Sequence, residues 1–326
     1  MELTDEQLRH LQNIDQFYET WKDVLTELAR LPGGMYWRVI NSREYLYQYA
    51  SSPAGQHVKS LGPKTPESQS LYQDFKQKKE DLEERRKSLE SKLAQLSPVW
   101  RALRLPAIDT MAGKALRALD QVGILGEGVL VVGTYAMKAY EVAAAAPFAA
   151  GMDATEDLDF TLLAGEHGTD PDLPRRLLLT LKQIDGSFIV NTNSPKTIVN
   201  KRGYRVDLLA NKAAQQPLLA ARPWKPEVLD GQEWLIQGTP VRVVLVDFEG
   251  VPTPVAAPDP RFFALHKLWL SKQRSRSALK ASKDRRQGEA LLRAIERQMG
   301  NYPLDSEFTS QLPDPLREQL HSLNKT

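Results

Sequence analysis

The sequence contains no cysteine, and no apolar run in it approaches the length needed to span a membrane. Without cysteine the protein has no disulfide bonds, no thiolate metal ligands and no cysteine nucleophile. A fold that needs no disulfide bonds suits a reducing compartment, and we expect the protein to be cytoplasmic. The first residues, Met1 to Glu6, are acidic and typical of a helix start, which predicts that no secretory signal is present.

The charge of the chain is nearly balanced. Its 43 Lys and Arg residues face 41 Asp and Glu residues, for a formal net charge of +2. The whole-molecule charge therefore does not favour a polyanionic partner, although the densest basic stretch, 267–286, could meet a triphosphate or a polynucleotide backbone. A chain of 326 residues with 41% hydrophobic content is long enough to bury a large core and to form two or three substructures.

Acidic residues alternate with apolar residues in the run 156–160, and a further aspartate lies in a second apolar run, 204–210. Side chains in a strand alternate between its two faces, so Asp157 and Asp159 should point the same way while their neighbours enter the apolar layer. Asp207 should do the same in a second strand. Like charges held together repel unless a cation lies between them, and oxygen ligands favour Mg²⁺. The pattern predicts three carboxylates around two metal ions, although an isolated Asp-x-Asp pair also fits a solvated loop or an exposed strand face.

A candidate phosphate site precedes the carboxylates. Gly133 and Thr134 end the apolar run 130–132 and stand before 135–141, which has helix-forming composition. This order predicts a strand, a tight turn and the start of a helix. Glycine lets a phosphate approach the backbone, threonine offers a hydroxyl, and a helix N-terminus carries partial positive charge.

The glycine turn, the Asp-Leu-Asp pair and the later strand aspartate together resemble the polymerase β-like nucleotidyltransferase superfamily. Its pattern is Gly-Gly or Gly-Ser, then Asp-x-Asp or Asp-x-Glu, then a strand aspartate. Within it the chain is most similar to bacterial nucleotidyltransferase-fold proteins and to AbiEii-type toxin nucleotidyltransferases. The resemblance implies that Gly133 and Thr134 hold the triphosphate of a nucleoside triphosphate. It also implies that Asp157 and Asp159 bind both of two Mg²⁺ ions, and that Asp207 completes the second metal site.

The motifs of this resemblance span residues 129–210, and the chain departs from the family pattern at two points. Thr134 replaces the more common serine or glycine and keeps the hydroxyl. The stretch between Thr134 and Asp157 is longer than usual, and Pro147 and Gly151 predict where the helix after the turn ends and the chain turns back.

The C-terminal part of the chain predicts two antiparallel helices, over 260–274 and 280–295, from the helical spacing of apolar residues. The resemblance implies that a lysine on a helix beside the core reaches the nucleotide phosphates. Lys267, which has apolar neighbours, is the candidate for this role, with Arg274 and Lys283 as weaker candidates. A solvated basic helix face is the alternative interpretation.

The first third of the chain predicts a different kind of structure. Residues 4–31 have the apolar stripe of a helix, and the aromatic-rich runs 35–40 and 44–49 indicate a hairpin, whose rings could stack on a base or simply pack. Residues 67–96 predict one long charged helix with apolar residues every seven positions. Lysine and arginine occupy half of that seam, so we expect the helix to pack within its own domain or against the helix after Pro98, rather than in a strong coiled-coil dimer.

Three further segments complete the prediction. Residues 100–122 indicate a helix that leads into the first core strand, 233–237 and 241–246 indicate a hairpin, and the proline-rich segment 251–260 is typical of an extended linker. The predicted fold class is α+β, with a mixed sheet of nucleotidyltransferase type and flanking helices. The predicted divisions are an N-terminal helical and hairpin region over 1–97, a nucleotidyltransferase core over 98–250, and a C-terminal helical region over 251–326.

The function predicted from these features is Mg²⁺-dependent transfer of a nucleoside monophosphate from a nucleoside triphosphate to an acceptor hydroxyl, with release of pyrophosphate. The acceptor stays open among RNA such as tRNA, protein and a small molecule, and no membrane partner is expected. Kinship alone suggests a toxin or defence role with an antitoxin partner. The alternatives are a catalytically inactive nucleotide- or RNA-binding module of the same fold, and an interaction protein built around the charged helix.

Overall fold

The computed structural model describes residues 3–52, 55–148, 157–163, 170–212 and 224–323. The chain divides into two compact units. The larger unit comprises Met1–Leu11 with Val99–Thr326, and the smaller unit comprises Gln12–Pro98. Of the helices within the described ranges, none is both long enough and apolar enough to cross a membrane. The three-part division predicted from the sequence stays a prediction.

The elements alternate along the chain in an order that mixes helices and strands, which is the predicted α+β class. The helices are α1 (Asp5–Arg30), α2 (Pro66–Ala102), α3 (Thr110–Gln121), α4 (Gly133–Ala143), α5 (Leu173–Ile184), α6 (Pro260–Ser271), α7 (Ala278–Gln298), α8 (Ser306–Gln311) and α9 (Asp314–Leu323). The strands are β1 (Gly34–Ile40), β2 (Arg43–Ser52), β3 (Gly55–Pro63), β4 (Ala107–Ile108), β5 (Val129–Val132), β6 (Asp157–Leu162), β7 (Ile189–Val190), β8 (Thr197–Val199), β9 (Arg205–Ala210), β10 (Glu227–Val228), β11 (Val241–Asp247) and β12 (Pro252–Ala257).

The smaller unit contains most of α1 and α2 and a three-stranded antiparallel sheet in the order β1-β2-β3. The N-terminal helix, the long charged helix and the aromatic hairpin are therefore confirmed, and β3 extends the hairpin. Val24 of α1 packs with Leu82 and Leu89 of α2 in a buried cluster. Of the two arrangements expected for the long charged helix, packing within its own domain is confirmed, because α2 packs on α1. Pairing with a separate helix after Pro98 is wrong, because α2 itself continues through Pro98 to Ala102.

Two sheets form the framework of the larger unit. The first is mixed, with the order β5-β6-β9-β8-β7 and with β10 added alongside β9. The second has the order β12-β11-β4, and α4 packs against β11 and β12. In the first sheet β5 is antiparallel to β6, and β6 is parallel to β9. This arrangement makes β6 and β9, the two strands that carry the predicted carboxylates, direct neighbours.

The predicted helix over 100–122 is wrong in its first part. Helix α2 ends at Ala102, the short strand β4 follows, and α3 begins only at Thr110. Asp109 sets this start, because its side chain accepts hydrogen bonds from the amides of Met111 and Ala112 and so caps the helix. The predicted end of α4 near Pro147 comes earlier, at Ala143, and the turn predicted at Gly151 lies outside the described residues.

The predicted hairpin over 233–246 and the predicted linker over 251–260 are both wrong. Residues Gln232–Trp234 form a 3₁₀ turn, and β11 pairs instead with β12, a strand that lies within the supposed linker and is buried along its whole length. Proline lacks an amide hydrogen and usually indicates a break, but β12 is an edge strand of its sheet, where Pro252 and Pro254 cost little.

Candidate active site

The two aspartates of β6 and the aspartate of β9 lie on neighbouring strands. Asp157 is paired in register with Arg205, and Asp159 is paired with Asp207. Leu158, between the two β6 carboxylates, is completely buried, while the aspartates themselves are partly exposed. The alternation expected from the sequence is therefore confirmed, and strand register alone brings Asp159 and Asp207 side by side.

These carboxylates open into a cavity of about 570 Å³ between the sheet and the C-terminal helices. All six residues predicted for the site line this cavity; they are Gly133, Thr134, Asp157, Asp159, Asp207 and Lys267. The rest of the lining comes from Val132 of β5, from β9, from the segment 227–235, and from α6, α7 and the turn between them. One cavity thus joins a carboxylate wall on β6 and β9 to a helical wall that faces it.

Gly133 is the residue at which β5 turns into α4, with a φ of +70°. A β-carbon at this position would lie 2.5 Å from Oδ2 of Asp159, which is too close for any side chain to be accommodated without a shift. Val132 pairs with Asp159 across β5 and β6, so the start of α4 lies directly beside the carboxylate. Glycine is needed here both for its positive φ and for its lack of a side chain, because together they let the N-terminus of α4 lie next to the carboxylate of Asp159.

The electrostatic state of Asp159 reflects this crowding. Burial, together with the negative charges of Asp207 and Asp157, raises the pKa of Asp159 to about 6, while Lys267 and Lys280 act to lower it. The carboxylate therefore holds its proton more tightly than an exposed aspartate does. A cation in the cavity would oppose this effect, since positive charge favours the ionised form.

The carboxylate group fits a hard divalent cation by its chemistry, because every donor is an oxygen atom. Asp157 has Nε of Arg205 at 3.6 Å from its Oδ1, and Asp207 accepts a hydrogen bond from the hydroxyl of Thr197. Within the part of the chain that the structure describes, no three acidic or histidine side chains already have the spacing of a metal site. Binding of a cation by these carboxylates would therefore exchange some of their present contacts.

The facing wall is basic and centres on a buried carboxylate. Asp284 of α7 pairs with Lys267 of α6 at 2.9 Å and with Arg276 at 2.7 Å. Burial acts to raise the pKa of Asp284, but the two cations outweigh it and hold the pKa below its ordinary value. Lys267, the residue predicted to bind phosphate, therefore lies in the cavity, and Asp284 partly neutralises its charge. We call Lys267, Arg276 and Asp284 the cationic triad.

Two further lysines of α7 face the cavity. Nζ of Lys283 donates to the hydroxyl of Thr134 at 3.2 Å, which links the basic wall to the glycine turn. Lys280 lines the same cavity. Arg274 is exposed and is not among the lining residues, so the structure does not bring this candidate to the site.

Sequence reasoning gives Asp284 no role, and it includes Arg276 and Lys280 only as members of the basic stretch 267–286. A signal for two of them was present, because the positions 280, 283, 284 and 287 follow the spacing of one helix face, and that face lines the cavity. Arg276 lies in the turn before α7, where no periodicity marks it.

Local features hold the two helices in place. Asp259 caps α6 by accepting from the amide of Arg261, and it also accepts from the amide of Thr239 at 3.0 Å. Gly288 of α7 lies against α6, since a β-carbon there would come within 2.8 Å of the carbonyl oxygen of Ala264. The close packing of α6 on α7 brings Lys267 and Asp284 within ion-pair distance.

An aromatic group borders the cavity beside the cationic triad. The ring of His266 is stacked on that of Trp269 at 5.8 Å, and Trp234 meets both rings edge-on. Burial and the charge of Lys267 lower the pKa of His266 to about 3, so its imidazole is neutral at physiological pH. The buried, neutral state of His266 fits a packing role.

Comparison with known proteins gives one family match. A family model described as nucleotidyltransferase matches residues 110–313, which is more than half of the chain and includes all six predicted site residues. No curated protein matches the chain. Among solved structures, an antigenic nucleotidyltransferase-like protein from Paracoccidioides brasiliensis is similar, with 17% identity over 67% of this chain and 89% of that chain. Its TM-score is 0.37, and at that value the likeness supports no conclusion about function.

Proposed function

The chain belongs to a family of nucleotidyltransferases, and we propose that it transfers a nucleoside monophosphate from a nucleoside triphosphate to an acceptor hydroxyl in the cavity of Asp157, Asp159 and Asp207. The observation that carries this proposal is the placement of the three carboxylates on adjacent strands, opposite a basic helical wall. Phosphoryl chemistry needs both, because negative charge on the phosphates must be neutralised while the reacting groups are held in line.

The triphosphate binds between the start of α4 and the basic wall. Gly133 leaves room for phosphate oxygens at the helix N-terminus, where the partial positive charge favours anions. Thr134 and Lys283, which already contact one another, reach the phosphates from the side of the glycine turn. Lys267 and Arg276 contribute from the opposite side, and Asp284 keeps them in position before the substrate arrives.

Asp157 and Asp159 would hold two Mg²⁺ ions together with Asp207. When bound, the ions would stabilise the charge that develops on the phosphate oxygens and lower the pKa of an acceptor hydroxyl. Asp159 is the carboxylate whose raised pKa a cation would relieve most directly. All of these donors are oxygen atoms, which supports Mg²⁺ rather than a softer metal.

We assign Asp207 the role of orienting the acceptor. In the proposed reaction its carboxylate takes the proton of the acceptor hydroxyl, while the acceptor oxygen forms a bond to the α-phosphorus. The bond from the α-phosphorus to the bridging oxygen breaks, and pyrophosphate leaves with the negative charge. Thr197, which donates to Asp207, fixes the orientation of this carboxylate.

The central test is Asp157→Asn. It should abolish transfer, measured as pyrophosphate release with Mg²⁺, each nucleoside triphosphate and a mixture of acceptors, while circular dichroism shows an unchanged fold. Asp314→Asn is the matched control, because Asp314 is exposed on α9. Full activity in Asp157→Asn would refute the assignment. A wild-type protein that binds nucleotide and releases no pyrophosphate would support the alternative, a catalytically inactive binding module.

The acceptor and the biological role are separate parts of the proposal. We propose RNA or protein as the acceptor class, and incubation with labelled triphosphates and cell lysate should place the label in one of those fractions. A small-molecule product would contradict this choice. A toxin role with an antitoxin partner, and a relationship to AbiEii-type enzymes, predict that expression of the wild type arrests growth and that Asp157→Asn does not. Growth unaffected by wild-type expression would count against the toxin role.

A further inference from the structure

The sheet of the smaller unit has one face rich in tyrosine. Strand pairing places Tyr36 opposite Tyr47 and Arg38 opposite Tyr45, and Gly34 pairs with Tyr49. Because alternate residues of a strand share a face, all of these side chains lie on the same side of the sheet. We call this side the tyrosine face, defined by Tyr36, Arg38, Arg43, Tyr45, Tyr47 and Tyr49.

Three of the four rings on the tyrosine face form a row. Tyr36 stacks on Tyr47 with a centroid separation of 5.8 Å and an angle of 20°, and Tyr49 lies 6.3 Å from Tyr36. The guanidinium of Arg38 lies over the ring of Tyr47 at 5.9 Å. Tyr36 is 37% exposed. Planar rings and a planar cation are thus presented together at the surface.

The opposite face of the sheet supplies the apolar packing. Leu46 is completely buried, and Trp37 contacts Tyr72 of α2 with ring centroids 5.8 Å apart. Lys79 of α2 donates to the carbonyl of Gly33 at 2.8 Å. Since the sheet packs on α2 through this side, the tyrosine row is not what attaches the sheet to the rest of the unit.

The charges on the tyrosine face are of one sign. Arg38 and Arg43 are both exposed, and the described residues of β1, β2 and β3 place no carboxylate on this side. Glu44, the acidic residue of β2, alternates to the opposite side and pairs with Lys64. Stacking surfaces combined with cations and without carboxylates are the features that bind a single nucleic-acid strand, whose bases stack and whose phosphates are negative.

We propose that the tyrosine face binds single-stranded RNA, with bases stacked on Tyr36 and its neighbouring rings and with phosphates contacted by Arg38 and Arg43. Tyrosine hydroxyls and Ser60, which is paired with Tyr47 on β3, supply groups that can bond a ribose 2′-hydroxyl. This inference goes beyond the proposed transfer reaction, because binding here needs neither a nucleotide nor the carboxylates of the cavity. Cross-strand aromatic pairs that serve only sheet stability are the competing explanation.

The test is fluorescence anisotropy of the full chain with a labelled 12-nucleotide single-stranded RNA of mixed sequence, in EDTA and without nucleotide. Tyr36→Leu keeps an apolar side chain in the strand but removes the ring, and should weaken binding by about tenfold. Tyr72→Leu is the matched control on the opposite side of the sheet and should bind as the wild type does. Arg38→Gln with Arg43→Gln should reduce the slope of log affinity against log salt by about 2, a readout that does not depend on Tyr36→Leu folding.

Several outcomes would overturn the inference. The first is that the wild type does not bind the RNA, and the second is that it binds duplex RNA with equal affinity. The third is a combination of two results, in which Tyr36→Leu binds with unchanged affinity and the double arginine variant has an unchanged salt slope. Equal or tighter binding of single-stranded DNA of the same sequence would overturn the choice of RNA. Asp157→Asn should bind this RNA normally, so failure of the transfer proposal and failure of this one are distinguishable.

Discussion

The carboxylate wall and the basic wall of the cavity are built in different ways. The carboxylates stand on β6 and β9, where strand pairing places the like charges of Asp159 and Asp207 side by side and Lys267 and Lys280 offset their repulsion only in part. The cations stand on α6 and in and before α7, where Asp284 joins Lys267 to Arg276. In the first wall, burial and the repulsion of the neighbouring carboxylates raise the pKa of Asp159. The second wall is partly neutralised from within. A ligand that brings cations to the carboxylate wall would relieve the repulsion between the carboxylates. If it also brings anions to the basic wall, these would form ion pairs with the cations that now pair with Asp284.

The substitution Asp159→Asn tests the carboxylate wall directly. The amide has the shape of the carboxylate but carries no charge, so it should hold a divalent cation poorly. We expect transfer activity to fall by at least about a hundredfold, as for the loss of one group that stabilises transition-state charge. Activity is measured as pyrophosphate release at saturating Mg²⁺ and triphosphate.

The control for this variant is Asp172→Asn, which removes an exposed carboxylate in front of α5. It should leave activity unchanged. If Asp159→Asn kept most of its activity, the charge of Asp159 would have no part in the reaction. Other groups would then be responsible for catalysis.

The carboxylate wall could be predicted from the sequence because its signal is local. Alternation of aspartate with buried apolar residues fixes which way Asp157 and Asp159 point, and a glycine before a helix fixes the turn. The basic wall could be predicted only in part. Lys267 was identified through the family resemblance, but its partner Asp284 is 17 residues away, and only the packing of two helices brings them together.

The elements that were predicted wrongly share a physical cause. The prolines of β12 predict a linker because proline lacks the amide hydrogen that a strand in the interior of a sheet needs. At the edge of a sheet that hydrogen is not needed, and the sequence does not show that β12 lies at an edge. Pro98 likewise predicts the end of the charged helix, yet the helix continues to Ala102. In both cases tertiary contacts outweigh a local preference against the element.

The substitution Lys267→Met tests the basic wall. Lys267→Met keeps the aliphatic chain and removes the charge, while Asp284 retains Arg276 as its partner, so the fold should survive. We expect the KM for the triphosphate to rise by about tenfold, the effect of losing one hydrogen bond between charged groups. The measurement is steady-state kinetics with varied triphosphate, and the change should lie in KM more than in kcat.

Arg274→Met is the matched control for Lys267, since Arg274 is a cation of the same segment that does not line the cavity. Equal effects of the two substitutions would mean that the basic segment acts through its general charge. The cationic triad would then have no special place in substrate binding.

The smallest expected effect concerns stability in the absence of any cation. The pKa of Asp159 is raised to about 6 in the folded protein from an ordinary value of 3.8, so the folded state binds the proton more tightly than the unfolded state. The free energy of unfolding should therefore fall as pH rises from about 4 through about 6, and the full penalty should be present above that range.

Asp159→Asn removes this penalty. In EDTA the variant should match the wild type near pH 4 and be more stable at pH 7, by on the order of 1 kcal/mol after allowance for solvent screening. Urea unfolding at both pH values measures the difference, and a variant that is less stable than the wild type at pH 7 would show that Asp159 is favourably paired rather than repelled. In that case the two walls would not differ in the way that their geometry indicates, because both would be neutralised from within the protein.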